Sequence, residues 1–291
     1  MLFKEIVCLA NSYKLQNRCI AGKEISTLKW VRPVSGRETG ELDLGQVRLA
    51  EGGIPKLLDI IKLPISNPRP NYFQPENILI HEGYLWARTG SFPETRIRDL
   101  IDKPTTLWQN CGGKNDCVSA DLLQKEPVSA SLYFINAESF KIHNVERSTG
   151  SIQTRAIFSY SGIDYDLVVT DPEAKEDFLK RGKGDFVLDE DVFLCISLGE
   201  LFQGCHYKLI ASIMRLKRQQ HQSAPVSSEK KYSVEKIRQE HPNAYQKWSH
   251  DEDALLKKEF QSGKSTETLA DFFRRKIGAI RSRLKKLGLR D

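Results

Sequence analysis

The sequence lacks an apolar run near the ~20 residues that a membrane span needs. Its opening, MLFKEIVCLANS, has neither the long apolar core nor the small-residue cleavage site of a secretory signal. These absences lead to the expectation of a cytoplasmic chain with no membrane partner. Cysteine is sparse and poorly spaced for metal. None of the six cysteines is in a CxxC pair, the closest spacing is Cys111 to Cys117, and the six histidines are scattered. A structural zinc site draws on tight ligand pairs, and Cys205-His206 side by side is not one. The expectation is reduced, mostly buried thiols, with no metal and no cofactor. A phosphate loop is also missing. Gly263-Lys264-Ser265 mimics its end, but Lys258 stands where the first glycine belongs and no strand precedes it.

Positive charge is present, and unevenly placed. The net charge is +6. Residues 1–214 hold 25 Lys/Arg against 28 Asp/Glu, residues 215–245 hold 7 against 3, and residues 246–291 hold 12 against 7. A slightly acidic body with a basic C-terminal quarter points to polyanion contact delegated to the C-terminus.

The pattern divides the chain into four parts. Residues 217–231, KRQQHQSAPVSSEKK, are polar, lack aromatics and carry a proline, which reads as a flexible basic linker. The body before it is mostly β. Short runs rich in β-branched and aromatic residues are bounded by turn formers at 3–10, 18–25, 28–35, 57–65, 131–137, 155–170, 191–198 and 207–216. Ser161-Gly162 supplies a hairpin turn, with Tyr165, Leu167 and Val169 alternating to one face. A loopier, partly helical stretch at about 90–127 separates two strand groups. The expected organisation is a first barrel with an insertion over 1–125, a second barrel over 126–216, the linker, and a small helical domain over 232–291.

That last domain reads as three helices. Ser249 and Glu252 have the spacing of a capping box, and Asp251, Glu252 and Asp253 suit a helix N-terminus. Leu255, Leu256 and Phe260 supply the apolar side of the first helix; Leu269, Phe272 and Phe273 are expected to face inward from the second. In the third, about Ile277 to Leu287 before Gly288, Ile277, Ile280, Leu284 and Leu287 fall in one arc. Ala279, Ser282 and Lys286 lie opposite, Lys285 is nearby, Arg281 and Arg283 flank the stripe, and no acid occurs between 272 and 290. A solvated face usually mixes signs. This one fits a helix that enters the major groove with cations reaching phosphates on either side.

W-S-x-x-E-D-x-L-L (248–256), A-D-F-F-R-R (270–275) and G-A-I-R-S-R-L-K-K-L-G-L (278–289) together resemble the Myb/SANT-like helix-turn-helix found at the ends of many bacterial proteins. The resemblance implies a core role for Trp248 and duplex DNA contact by the third helix. Where that family has a Gly-Arg-Thr/Ser turn, this chain has Arg274-Arg275-Lys276. Losing the glycine and cap hydroxyl while gaining charge favours phosphate contact over base readout. The expected DNA-binding set is Arg274, Arg275, Lys276, Arg281, Ser282, Arg283, Lys285 and Lys286.

In the body, C-L-A-N-S-Y-K (8–14), R-C-I-A-G-K-E (18–24), W-V-R-P-V-S (30–35), Y-D-L-V-V-T-D-P (165–172) and S-L-G-E-L-F-Q-G-C-H-Y-K-L (197–209) resemble the bacterial dual OB domain family over about 3–214. The implied fold class is mixed, mainly β: two OB-like β-barrels followed by a small three-helix domain. The family name implies nucleic-acid binding; a part in defence against phage is open on family grounds, but no residue argues for it. Asn11, Ser12, Lys14, Arg18, Lys23, Trp30 and Arg32 offer cations, polar donors and an aromatic platform, and form a candidate surface for a single strand. They fit equally a core tryptophan with cross-strand ion pairs.

Enzyme readings are weaker. Cys8 or Cys19 beside Lys23 suggests an activated thiol, but no histidine is near in sequence. Asp164, Asp166 and Asp171 offer Mg²⁺ ligands, yet the first two sit in an alternating strand where exposed acids are common. The expectation is therefore a DNA-binding accessory, sensor or recruiting protein without catalytic residues. Its rivals are a nuclease or thiol-dependent modifier, and a protein-interaction platform in a larger defence or DNA-processing complex.

Overall fold

The computed structural model describes residues 2–111, 115–217, 243 and 248–289. The linker expected at 217–231 lies, beyond its first residue, outside the described residues, as does the start of the helical domain. The chain divides into two units, 1–219 and 220–291.

One long strand organises the first unit. β1 (Leu2–Lys14) pairs antiparallel through Leu2–Val7 with β4 (Asp59–Pro68) and through Ile6–Lys14 with β2 (Asn17–Glu24). The register slips between Cys8 and Ala10, a bulge that bends β1 from one partner toward the other. Gly22 sits where the strands cross; a Cβ there would lie 2.1 Å from the Val7 carbonyl oxygen. β2 pairs with β3 (Trp30–Val34), β3 runs parallel to β5 (Asn77–Ile80), and β5 pairs back onto β4. The circuit β1-β2-β3-β5-β4-β1 is a closed five-stranded barrel, and β6 (Ala87–Ser91) adds to β4.

The second sheet repeats this circuit. β7 (Cys117–Ser119) and α1 (Ala120–Lys125) precede it. β8 (Leu132–Asn136) and β9 (Glu138–Glu146) are one run of chain broken only at Ala137. β9 pairs with β10 (Ile152–Tyr160), β10 with β11 (Ile163–Val169), and β11 runs parallel to β14 (Cys205–Lys217). β14 pairs with β13 (Glu190–Phe202), and β13 returns to β8. Ser161 and Gly162 turn the β10–β11 hairpin with φ of 50° and 75°, the left-handed pair of a type I′ turn. α2 (Pro172–Leu179) comes after β11, and β12 (Gly184–Val187) adds to β9.

The two barrels share a core. Ile6 and Cys8 point into the first barrel, with Ile61, Leu63 and Trp86. Val7, Leu9 and Ala10 point the other way and pack with Leu132, Phe134, Phe193, Cys195 and Met214 of the second. β13 does likewise: Leu194 and Ile196 fill its own barrel, while Phe193 and Cys195 fill the seam. A strand buried on both faces reads as a continuous apolar run, as I-V-C-L-A does. Large seam side chains such as Phe134 and Phe193 contribute ~1.5–3 kcal/mol each by leaving water, so the barrels are held as a pair.

The sequence reading puts the whole stretch up to residue 125 with the first barrel. Instead, Leu107, Trp108, Val118 and Leu123 belong to the second core, and β7 pairs with β14. The first barrel's strands end at Ser91, and β7, beyond them in the chain, is drawn to the open end of β14.

In the C-terminal unit, α3 (His250–Gln261), α4 (Thr266–Phe273) and α5 (Ile277–Lys286) surround Leu256, Leu269, Ala270, Phe273, Ile280 and Leu284. The Ser249–Glu252 capping box forms in full. Three expectations fail at the edges of this small core. Leu255 and Phe272 are exposed, and Ile277, in the first turn of α5, is 40% exposed. No helix among the described residues is long and apolar enough to cross a membrane.

Candidate nucleic-acid interface

The turn before α5 forms without glycine. Arg274 takes the left-handed conformation (φ 52°, ψ 43°) at the end of α4, and the Arg275 N–H donates to the Ala270 carbonyl. Lys276 then serves as N-cap with extended backbone and no side-chain cap bond. Arg275 turns inward and is only 2% exposed. Its guanidinium lies 4.3 Å over the Trp248 ring, pairs with Glu252 at 3.0 Å and donates to the Asn243 carbonyl at 2.9 Å. Arg283 is half-buried and gives a two-pronged hydrogen bond to Asp253, which raises its own pKa further. These two expected DNA contacts are thus structural cations of the helical unit.

The other six members of the expected set, Arg274, Lys276, Arg281, Ser282, Lys285 and Lys286, are exposed. At 100° per residue, Gly278, Arg281, Ser282, Lys285 and Lys286 form one outward arc of α5. Arg281 meets Glu267 at 3.4 Å, with both side chains 59% exposed, so solvent screens the pair.

The candidate set on the barrels divides as well. Ser12, Lys23 and Arg32 are buried, and Ser12 and Arg32 show only at the wall of a small pocket with Lys14 and Glu200. Lys23 Nζ reaches Asp102 Oδ1 at 2.5 Å and the Leu100 carbonyl at 2.8 Å, while Trp30 Nε1 donates to Asp102 Oδ2 at 3.0 Å. Arg32 pairs with Glu76 at 3.2 Å and donates to Ser131 and Ser197 Oγ at 2.8 and 3.1 Å. Their strands turn these residues toward the second barrel, where alternation finds them partners from distant sequence. Lys14 pairs with Glu200. Asn11, Arg18 and Tyr13 remain together: Arg18 lies 4.7 Å over the 49%-exposed Tyr13 ring and donates to Asn11 Oδ1 at 3.4 Å. They line a groove with Pro55, Lys56, Asp171, Glu173 and Glu176.

The residues considered for catalysis are held elsewhere. Asp164 accepts from Ser159, and Asp166 pairs with Arg155 at 2.7 Å. Asp171 caps α2, accepting from Glu173 and Ala174 N–H through one oxygen and from Ile213 N–H through the other. Burial pushes its carboxyl above the ordinary range despite those donors. Burial, then the charge of Asp59, pushes the Cys8 thiol up to about 12.

Sequence reading misses one grouping. Cys111, Cys117 and Cys205 bring their Sγ atoms within 4.8 Å of one another. Cys111 and Cys205 lie 94 apart in sequence, and the pairing of β7 with β14 helps to bring them together.

Comparison with known proteins places this geometry. The family model of the dual OB-containing domain matches residues 4–213. No curated protein matches the chain. Among solved structures, the p204 HINb domain is 13% identical, with 73% of this chain and 95% of that chain covered and a TM-score of 0.32. A murine DNA-binding protein bound with double-stranded DNA is 9% identical, with 75% and 100% covered and a TM-score of 0.32. The Ifi202 HINa domain in complex with 20-bp double-stranded DNA is 8% identical, with 74% and 96% covered and a TM-score of 0.30. With the family match spanning the strands of both sheets, the chain belongs to the dual OB-containing domain family.

Proposed function

We propose that this chain is a DNA-binding accessory, sensor or recruiting protein that acts by binding, not by catalysis. Its C-terminal unit docks on duplex DNA in the manner of a Myb/SANT-like helix-turn-helix, with α5 in the major groove. The observation that carries this reading is the outward arc of α5, where Arg281, Ser282, Lys285 and Lys286 stand exposed beside the slim Gly278 on a helix without an acid. Such an arc fits a groove wall lined by phosphates. Arg274 and Lys276 extend the charge into the preceding turn. Contact through cations at the uncapped start of the helix favours backbone phosphates over base edges.

The barrels engage a single strand, an end or a protein partner. Tyr13 with Arg18 over its face supports this half: an exposed ring and a guanidinium are the pieces of a base-stacking platform. Three acids in the same groove restrict it to a local contact, not a track for a long polyanion. A non-catalytic role is supported by Asp171, whose two oxygens are occupied by backbone N–H groups.

The test is salt-dependent binding of full-length protein to duplex DNA. Arg281→Ala with Lys285→Ala should weaken binding and lower the slope of log K against log salt by about 2, close to one per lost phosphate contact. An unchanged affinity and slope would remove the recognition-helix reading. Metal-dependent DNA degradation lost in Asp164→Ala would replace the binding role with a nuclease.

A further inference from the structure

We propose that Cys111, Cys117 and Cys205 form a three-thiolate site for a divalent zinc ion, which fastens β7 to the β13–β14 hairpin of the second barrel. The register makes the site. β7 pairs Cys117 with Tyr207 and Ser119 with Cys205, so Cys117 and Cys205 are diagonal neighbours on one face of the sheet. The Cys111 N–H donates to the Cys117 carbonyl at 3.2 Å, which holds the third thiol beside the other two. All three Sγ atoms lie within 4.8 Å of one another, and Cys111 and Cys205 stand 4.0 Å apart. Tetrahedral zinc with bonds of about 2.3 Å places its sulfurs about 3.8 Å apart, so closure needs the sulfurs to draw together by up to about 1 Å.

Chemistry selects the ion. Soft thiolates in a tetrahedral set favour zinc over the oxygen-seeking cations. His206 is adjacent but not a ligand: its Nδ1 is bonded to the Gly199 carbonyl and its Nε2 to the Tyr72 hydroxyl, both at 2.8 Å. Among the described residues, Cys111, Cys117 and Cys205 are the group's ligands, and the proposed site leaves its fourth position to water. Three thiolates and one zinc carry a net negative charge. Lys208 is buried on β14 beyond Cys205, and its ammonium donates to the neutral Asn110 Oδ1, next to Cys111 in the chain. A buried ammonium gains from such a counter-charge. β7 has only three residues, and an ion joining its start to β14 supplies the tie that a strand this short does not.

Full-length protein, purified under reducing conditions and passed through metal-free buffer, is expected to hold about one zinc per chain. Co²⁺ loaded in its place should give a tetrahedral ligand-field spectrum with thiolate-to-metal charge transfer of three-sulfur intensity. Cys111→Ser, Cys117→Ser and Cys205→Ser should each weaken zinc by at least ~10-fold in chelator competition, since even an outer-shell partner costs that much. Cys19→Ser, outside the group, should leave it unchanged. If a serine variant fails to fold, the cobalt spectrum of the unaltered protein decides. Folded protein that binds neither zinc nor cobalt overturns the proposal. So does a Cys111–Cys205 disulfide in the isolated protein that, once reduced, still takes up no metal.

Discussion

Two groups of cations in this molecule have the same sequence character and opposite surroundings. In the seam between the barrels, Lys23 and Arg32 are buried and bound to Asp102 and Glu76. On α5, Arg281, Lys285 and Lys286 face outward. Both groups alternate with apolar residues, and both read as binding surface from the sequence. What separates them is whether a second layer of protein covers the strand or helix that carries them. Arg275 makes the contrast within a single turn: it is buried over Trp248, while Arg274 and Lys276 on either side are exposed.

Four variants probe this contrast, in falling order of effect. Arg32→Ala leaves Glu76 buried without its partner and should cost about 3–5 kcal/mol in urea unfolding of the full chain. A loss under about 0.5 kcal/mol, the range of ordinary surface changes, would put Arg32 back among the surface cations. Arg275→Ala removes the cation over Trp248 and the partner of Glu252, and should lower the stability of the helical unit by about 1–3 kcal/mol. Tryptophan fluorescence reads it, because Trp248 loses its neighbour. Arg274→Gly should instead stabilise that unit by about 1 kcal/mol, since glycine relieves the left-handed strain, while weakening DNA binding through the lost charge. Arg281→Ala with Lys285→Ala should leave unfolding within about 0.5 kcal/mol of the parent and move only the DNA affinity. Equal losses of stability and affinity would erase the distinction between the two groups.

The barrels and helices were legible to different depths. Strands such as β1, β10 and β11 announce themselves by β-branched runs and turn residues, and the Ser249–Glu252 cap by its spacing. Local chemistry fixes those features. The seam is another matter. Lys23 meets Asp102 from 79 residues away, and Arg32 meets Ser197 from 165 away. No local pattern encodes such meetings. Short β5 and β6 also escaped, because four or five residues carry too little periodicity. Asp171 looked like a metal ligand only because its role as the cap of α2 required knowing that a helix starts there. Ile277 lies on the same arc of α5 as Ile280 and Leu284, yet it is 40% exposed while they are buried.

β1 carries one last implication. From Ile6 to Ala10 it has no face toward water: Ile6 and Cys8 fill the first barrel, and Val7, Leu9 and Ala10 fill the seam with the second. In an ordinary half-exposed strand, a one-residue slip trades core for solvent. Here, inserting or deleting one residue would instead exchange the contents of two interiors, sending Val7 and Leu9 where Ile6 and Cys8 had been. An insertion or deletion at this strand would therefore disturb the first barrel and the seam together.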